Sequence, residues 1–212
     1  AWSIDLGFYE IDSDVRANTL EIIELLRDLG AELIEVDFGW TAEADIAGQN
    51  YLNHGFGGYI KNIIDRDPSL ATPWANYFAG THGQVTSADF TESYKVQSNM
   101  ARHIGKIMND HYAFICPTQG FHEIPADHRP EEPIYINGHS VEVLYGWNQS
   151  LPFNMLGRLP ALAVPSGFGK NGLPTSVQIS ARHLDDARVF RIGMAIEEAK
   201  PWLDCELRRP NI

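Results

Sequence analysis

Ser166 and Lys170 are the residues whose types and spacing come nearest to nucleophilic catalysis. They lie four residues apart in the segment VPSGFGK, and a serine hydroxyl beside a lysine amine can form a nucleophile and its base. The GxSxG and SxxK motifs of serine hydrolases are absent from the sequence. A turn serine next to a solvated lysine is the ordinary interpretation, so we assign no catalytic residue to this chain.

The histidines and cysteines form no recognisable metal-binding pattern. The eight histidines lack HExxH or another paired spacing, and Cys116 and Cys205 lie far apart and outside any CxxC motif. We therefore predict neither a metal site nor a bound cofactor. The sparse cysteines argue against a disulfide scaffold and favour a reducing compartment, so we expect a cytoplasmic protein.

The overall composition predicts a globular protein that binds neither nucleic acid nor a membrane. The chain has 212 residues, of which 44% are hydrophobic, and a formal net charge of −12, which repels phosphate backbones. No apolar run approaches the roughly 18 residues that a membrane-spanning helix needs, and no signal peptide opens the sequence. We treat residues 1–212 as a single domain, because no linker or internal repeat divides them.

The elements that must position any site begin with a strand–helix–strand unit. The apolar residues 2–8 precede a helix that Ser13 is expected to cap and Gly30 to end, and residues 32–38 follow as a second strand. This order is typical of a parallel crossover. Later apolar runs add three strands, at 111–116, 161–164 and 175–179. Together these segments predict an α/β fold with a mixed, mostly parallel sheet that helices flank.

The remaining helices are predicted from apolar spacing. Steps of three and four residues predict a long amphipathic helix over Ser87–Asp110, and Asp185 can cap a final helix. Between residues 41 and 73, glycines and aromatic residues predict short helical pieces at most. We expect a surface loop at 120–137 and a short helix at 143–151. Because these helices cover one sheet face more easily than two, we expect exposed apolar surface.

Residues 152–180, PFNMLGRLPALAVPSGFGKNGLPTSVQIS, place Gly and Pro turns around two short apolar runs, as in the wall of a substrate pocket. With CPTQG before this segment and DDARVFRIGMAIEEAKPW at the final helix, the chain resembles the C-terminal half of the amidase signature family in the order and spacing of its motifs. Residues 4–37 resemble the part that follows that family's catalytic core. The sequence departs from the family pattern at one of these motifs, because two residues, instead of one, separate Gly157 from Pro160.

The resemblance implies hydrolysis of a carboxylic amide through an acyl-enzyme on serine, with a Ser–Ser–Lys catalytic set. The Gly-Gly-Ser-Ser stretch and the lysine of that set do not occur in this sequence. We therefore expect the C-terminal portion of a longer amidase domain, which completes the substrate pocket and is inactive alone. The implied partners are a small-molecule amide and the N-terminal catalytic half of the same protein.

Two other functions stay open. The same fold serves the A-type subunit of amidotransferases, which hands ammonia to a partner protein. Alternatively, the chain is a noncatalytic binding or interaction module that retains the fold. The identity of the amide and the assembly, including a homodimer, are left open by the sequence.

The resemblance also places residues at the substrate. In the family, the helix before the Asn motif faces the acyl part of the substrate, and here that helix corresponds to residues 143–151. Leu144, Trp147 and Leu151 lie on one face of it and are candidates for contacting the acyl group. The alternative for all three is packing in the core.

Thr118 is the fourth candidate for substrate binding. It follows the strand-ending Pro117, and ligands collect at the carboxyl ends of strands in α/β sheets. The alternative is that its side chain caps a turn. We expect Asn154 and Gln178 to satisfy buried backbone groups and not to touch substrate, because unpaired polar groups in the interior are costly.

Overall fold

The computed structural model describes residues 1–141 and 146–203, which form a sheet layer and a helical layer. The elements in chain order are α1 (Ser13–Asp28), α2 (Ala42–Ile64), a 3₁₀ turn (Pro68–Leu70), α3 (Pro73–Gly80), α4 (Ser87–Asp110), β1 (Phe114–Pro117), β2 (Ile134–Ile136), β3 (His139–Val141), α5 (Ser150–Leu156), β4 (Ala161–Phe168), β5 (Pro174–Ser180) and α6 (Asp186–Ala199).

Three of the five predicted strand segments form one sheet of β1, β5 and β4, and the other two add only isolated bridges to it. β5 pairs with β1 on one side and with β4 on the other, antiparallel in both cases. Trp2 adds a parallel bridge to Ile115 of β1 and another to Glu35. The α/β class and the mixed sheet are confirmed. The expectation that the sheet is mostly parallel was wrong, because in the described part of the chain parallel pairing is limited to the two bridges at Trp2, while the long ladders are antiparallel.

The start of the chain is less regular than predicted. Only Trp2 of the first predicted strand pairs, because the chain turns at Leu6 and Gly7, whose φ angles are +53° and +94°. Helix α1 is capped by Asp12 and not by Ser13: Oδ1 of Asp12 accepts a hydrogen bond of 2.8 Å from the backbone nitrogen of Asp14. The parallel crossover from Trp2 through α1 to Glu35 is nevertheless present.

Helices cover the two faces of the sheet unequally. α1 and α6 pack against β4 and β5 on one face, and Gly193 of α6 lies so close to Leu162 that a Cβ atom would sit 2.5 Å from its Cδ2. On the other face, Phe38 and Phe153 of α5 pack on Phe114, with ring centroids 4.4 and 6.0 Å away. Phe38 and α5 cover β1 on this face but leave β4 uncovered.

β4 is the edge of the sheet in the described part of the chain, and one of its faces is open. Ala161, Ala163 and Pro165 alternate along the strand and are exposed, whereas Val164 and Ser166 between and beside them are buried. An open edge with an uncovered face is typical of a sheet that pairs or packs with further chain.

The helical layer contains the largest departure from the predictions. Residues 42–64 form the continuous helix α2, although we predicted short pieces there. Its glycines act as contact points: a Cβ atom on Gly57 would lie 2.9 Å from the carbonyl oxygen of Phe78 in α3. Close packing of α2 on α3 and α4 therefore outweighs the low helix propensity of glycine. Helix α4 has the predicted bounds.

The predicted surface loop at 120–137 contains part of a β-hairpin. β2 and β3 pair antiparallel across Asn137 and Gly138, which both have positive φ angles of +52° and +84°. An Asn-Gly pair with two positive φ angles is typical of a tight hairpin turn. The predicted helix at 143–151 was also wrong in its described part, because residues 146–149 form turns and α5 begins at Ser150.

Candidate functional site

A cleft of about 310 Å³ opens where β1 ends, between α5 and the uncovered face of β4. None of its lining residues is charged, and we call it the neutral cleft. The lining residues are Thr118, Ser150, Phe153, Asn154, Gly157, Leu159, Ala161, Ala163 and Gln178.

Thr118 is held in place at the end of β1. Its backbone nitrogen donates to the carbonyl oxygen of Ser176 over 3.1 Å, and its hydroxyl contacts both that oxygen and the Ser176 hydroxyl. Its carbonyl oxygen accepts a hydrogen bond of 3.1 Å from the hydroxyl of Ser150, at the start of α5. Thr118 therefore joins β1, β5 and α5, and its side chain stands at the cleft.

Gln178 forms the floor of the cleft and braces the backbone beneath it. Its side-chain nitrogen lies 3.2 Å from Sγ of Cys116 and 3.3 and 3.1 Å from the carbonyl oxygens of Pro117 and Gln149. Gln149 is itself fully buried and donates over 2.7 Å to the carbonyl oxygen of Ile4. The expectation that Gln178 satisfies buried backbone groups is confirmed.

Asn154 behaves differently from Gln178. Asn154 is exposed at the rim of the cleft, and its side chain forms no hydrogen bond with the described residues. The expectation that Asn154 satisfies a buried backbone group was therefore wrong. Its position in α5, one turn before the left-handed Gly157, leaves its amide facing solvent beside the cleft.

Of the other three candidate residues, two lie outside the lining of the cleft, and the third, Leu144, lies outside the described residues. Trp147 is buried in a satellite cluster with Ile134 and Ile136 of the hairpin. Leu151 is buried against α2, where a Cβ atom on Gly48 would lie 3.0 Å from its Cγ. The structure thus brings Thr118 to the cleft and places Trp147 and Leu151 in apolar packing behind it.

A buried acid lies behind the cleft. The Tyr9 hydroxyl donates over 2.8 Å to Oδ1 of Asp45 in α2 and lies 3.2 Å from the carbonyl oxygen of Asn148. Burial raises the pKa of Asp45 to about 7, although the hydrogen bond from Tyr9 opposes the shift. Burial, with the nearby Asp45, also raises the pKa of Tyr9. Sequence patterns gave no signal for this pair, because its members belong to distant segments.

Ser166 and Lys170 do not form a dyad. The buried Ser166 hydroxyl lies 2.8 Å from that of Thr175, while the Lys170 amine lies 3.2 Å from Oδ1 of Asp14. The Ser166 carbonyl oxygen, and not its hydroxyl, accepts a hydrogen bond from Lys200. The geometry therefore agrees with a solvated Lys170 and with the absence of a dyad, whereas the expectation of a turn serine was wrong, because Ser166 is buried within β4.

Thr118 also borders a second recess, of about 250 Å³, on the other side of β5. We call it the His122 recess, after the buried histidine in its wall. The lining residues are Val15, Thr118, Gln119, His122, Leu173, Pro174, Thr175 and Ser176.

Among the described residues, no helix is long and apolar enough to cross a membrane.

Comparison with known sequences identifies relatives along nearly the whole chain. A family model for amidases matches residues 1–190. An acylamidase of Rhodococcus erythropolis is 28% identical over 207 residues, which cover 96% of this chain and 43% of the relative. The A-type subunit of the glutamyl-tRNA(Gln) amidotransferase of Thermosynechococcus vestitus is 27% identical over 176 residues, covering 79% of this chain and 32% of the relative.

Solved structures show the same fold. A bacterial aryl acylamidase of the amidase signature enzymes superposes with a TM-score of 0.81 at 17% identity, over 95% of this chain and 43% of its own. A 6-aminohexanoate cyclic dimer hydrolase superposes with a TM-score of 0.68 at 19% identity, over 95% of this chain and 44% of its own. The chain spans less than half the length of these relatives.

Proposed function

Since the chain belongs to the amidase family, we propose that it forms the C-terminal, pocket-completing part of an enzyme that hydrolyses a carboxylic amide to an acid and ammonia or an amine. The observation that carries this proposal is the family match over residues 1–190 together with the neutral cleft at the end of β1. The relatives named acylamidase and aryl acylamidase support an acyl amide as the substrate class.

The chemistry of the neutral cleft suits an uncharged amide. An amide group offers one hydrogen-bond acceptor and, when it carries N–H groups, donors as well, and it has no net charge. A cleft with hydroxyl and amide side chains and without ionised groups matches these needs, because binding sites are mostly apolar with a few placed polar groups. Thr118 is our first candidate for contacting the substrate, and Asn154 is a further one from the structure.

We propose that the nucleophile comes from chain outside these residues. The Gly-Gly-Ser-Ser stretch and its lysine are absent from residues 1–212, and the relatives are more than twice as long as their matching part. The N-terminal catalytic half of the same protein would then lie over the open face of β4 and close the cleft. The exposed Ala161 and Ala163 support this position.

The roles of Leu144, Trp147 and Leu151 at the acyl group stay predictions. The burial of Trp147 and Leu151 supports packing as their main contribution. A single domain over residues 1–212 and a cytoplasmic location likewise stay predictions, the latter from the sparse cysteines.

A second candidate is the A-type subunit of an amidotransferase. Relatives with this name match at 25–27% identity over 79–95% of the chain, and the named acylamidase matches at 28% identity over 96% of it. A noncatalytic module that retains the fold is the third. Glutamine-dependent ammonia release that requires a partner protein would favour the second candidate, and no turnover by the complete protein would favour the third.

The test compares the complete protein with residues 1–212 alone on aryl acylamides, such as an acylated aniline. We expect the complete protein to hydrolyse them and the isolated residues to show only background. Loss of a nucleophile and its base commonly costs a factor of about 10⁶ in kcat. Turnover by the isolated residues, with no serine supplied from elsewhere, would overturn the proposal. Adding the N-terminal half in trans provides the positive control.

A further inference from the structure

Three potential metal ligands from two distant segments meet beside the His122 recess. Asp12 caps α1, Asp14 lies in its first turn, and His122 follows β1 in the loop that passes this helix end. One ligand atom from each residue lies within 4.8 Å of the other two. The spacing in sequence gives no metal motif, and only the fold brings the three side chains together.

His122 supplies an independent observation that points to a ligand. Its side chain is 5% exposed, and among the described residues neither of its ring nitrogens finds a hydrogen-bond partner. Nδ1 lies 3.6 Å from Oδ1 of Asp12, beyond a normal hydrogen bond. Buried ring nitrogens without a partner are costly and rare, and a ligand that binds both His122 and Asp12 would satisfy Nδ1.

The separation of these atoms fits a metal ion. Zinc bonds of about 2.0–2.2 Å to nitrogen and oxygen in a tetrahedral arrangement place neighbouring ligand atoms roughly 3.3–3.6 Å apart. The 3.6 Å between Nδ1 of His122 and Oδ1 of Asp12 already meets this requirement. Asp14 reaches the same spacing with a small side-chain movement, because its ligand atom starts within 4.8 Å of the other two.

Lys170 is the competing positive charge. Its amine lies 3.2 Å from Oδ1 of Asp14, and its side chain is 85% exposed. The Asp14 side chain is only 16% exposed, but an ion pair whose amine is this exposed contributes little, so the amine can leave for solvent when a metal ion binds. The backbone nitrogen of Lys170 donates to Oδ2 of Asp14 over 2.8 Å, so this oxygen stays anchored while a small rotation brings Oδ1 to the ion.

We propose that Asp12, Asp14 and His122 bind a divalent transition-metal ion, with Zn²⁺ as the best-fitting ion. An imidazole with two carboxylates suits zinc, whereas Mg²⁺ and Ca²⁺ prefer oxygen ligands in larger number. The bound ion would tie the start of α1 to the loop after β1 and thereby fix one side of Thr118. This site lies apart from the neutral cleft and does not depend on the proposed amide hydrolysis.

The test is a calorimetric titration of Zn²⁺ into the complete, chelator-stripped protein at neutral pH, with Mg²⁺ as the comparison ion. We expect one equivalent of Zn²⁺ to bind through this site, and binding to weaken by at least about ten-fold in His122→Ala, as losses at metal sites commonly do. His139→Ala is the matched control, because His139 forms an exposed pair with Glu10. Its affinity for Zn²⁺ should equal that of the wild type.

Two further measurements keep the test decisive if His122→Ala folds poorly. Co²⁺ bound to the wild type should give visible absorption bands of a low-coordinate site, and Asp14→Asn should remove them while its circular dichroism stays unchanged. Lys170→Met should tighten Zn²⁺ binding, because the competing amine is gone. Absence of Zn²⁺ binding in the wild type, or binding that His122→Ala and Asp14→Asn leave unchanged, overturns the proposal.

Discussion

The two cavities that meet at Thr118 differ in their charge. The neutral cleft is lined without any ionised group, whereas the His122 recess lies beside two aspartates and a lysine. Both are built from the same strands, since β5 separates them. The difference shows that one strand end borders an uncharged cavity on one side and acidic side chains on the other, because α5 lies next to the first and the start of α1 next to the second.

Each side is also held together differently. On the neutral side, Gln178 and Gln149 brace the backbone through hydrogen bonds among buried groups. On the charged side, Asp12 caps α1 and Asp14 pairs with Lys170 near solvent. Buried hydrogen bonds are costly to remove, and exposed ion pairs are not. Substitutions should therefore cost more stability on the neutral side than on the charged side.

Trp147→Ala tests whether Trp147 packs in the core or contacts the substrate, and it should have the largest effect. Because Trp147 is buried against Ile134 and Ile136, its removal should lower the free energy of unfolding by about 3–5 kcal/mol, measured by chemical denaturation. Tyr135→Ala in the same hairpin is the control, since Tyr135 is exposed. A shift in acyl preference of the complete enzyme with little loss of stability would instead place Trp147 at the substrate.

Asp45→Asn tests whether the buried carboxyl group of Asp45 is protonated in the folded protein. The native pKa of Asp45 is raised from 3.8 to about 7, so the folded protein retains a proton that the unfolded chain releases between these values. The free energy of unfolding should thus fall as pH rises from about 4 to about 7, by on the order of 4 kcal/mol in total. Above pH 7 this contribution should be flat.

The asparagine variant keeps an acceptor for Tyr9 but cannot ionise, so this part of the pH dependence should disappear from denaturation curves recorded between pH 4 and 8. Glu43→Gln, an exposed position in the same helical turn, should retain the wild-type slope. An unchanged slope in Asp45→Asn would contradict the raised pKa.

Gln178→Met tests the bracing beneath the cleft. The substitution keeps the length of the side chain but leaves the acceptors at Pro117 and Gln149 unpaired, which should cost about 1–3 kcal/mol. Thermal denaturation provides the measurement. Gln84→Met removes one exposed hydrogen bond to Gly80 and should change stability by less than about 0.5 kcal/mol. Equal effects of the two substitutions would refute the bracing role.

Ser166→Ala should have the smallest effect. It removes one buried hydroxyl contact with Thr175, worth about 1 kcal/mol, and should leave kcat/KM of the complete enzyme unchanged. Ser98→Ala on the exposed face of α4 controls for loss of a serine hydroxyl. Covalent labelling of Ser166 by a serine-directed phosphonate, or a large loss of turnover, would show that Ser166 is a nucleophile after all.

Local sequence patterns predicted the elements that depend on local rules. The apolar spacing of α4 and the glycine at the end of α1 gave these helices nearly their observed bounds. Three of the five apolar runs identified the strands of the sheet, and the other two contain the residues of its isolated bridges. Helix α2 was missed because its glycines weaken an isolated helix, and their value appears only when α3 packs against Gly57. The Asn137-Gly138 pair is a local sequence signal for the hairpin turn, which the predicted surface loop did not include.

By itself, the sequence determined the family, the fold class and the position of Thr118 at a strand end, because these follow from the order of motifs and from apolar periodicity. The tertiary structure alone decided the direction of the long ladders, the burial of Trp147 and Leu151, and the meeting of His122 with Asp12 and Asp14. The physical reason is that pairing, burial and ligand clusters depend on contacts between distant segments, whose geometry is set only when helices and sheet pack together.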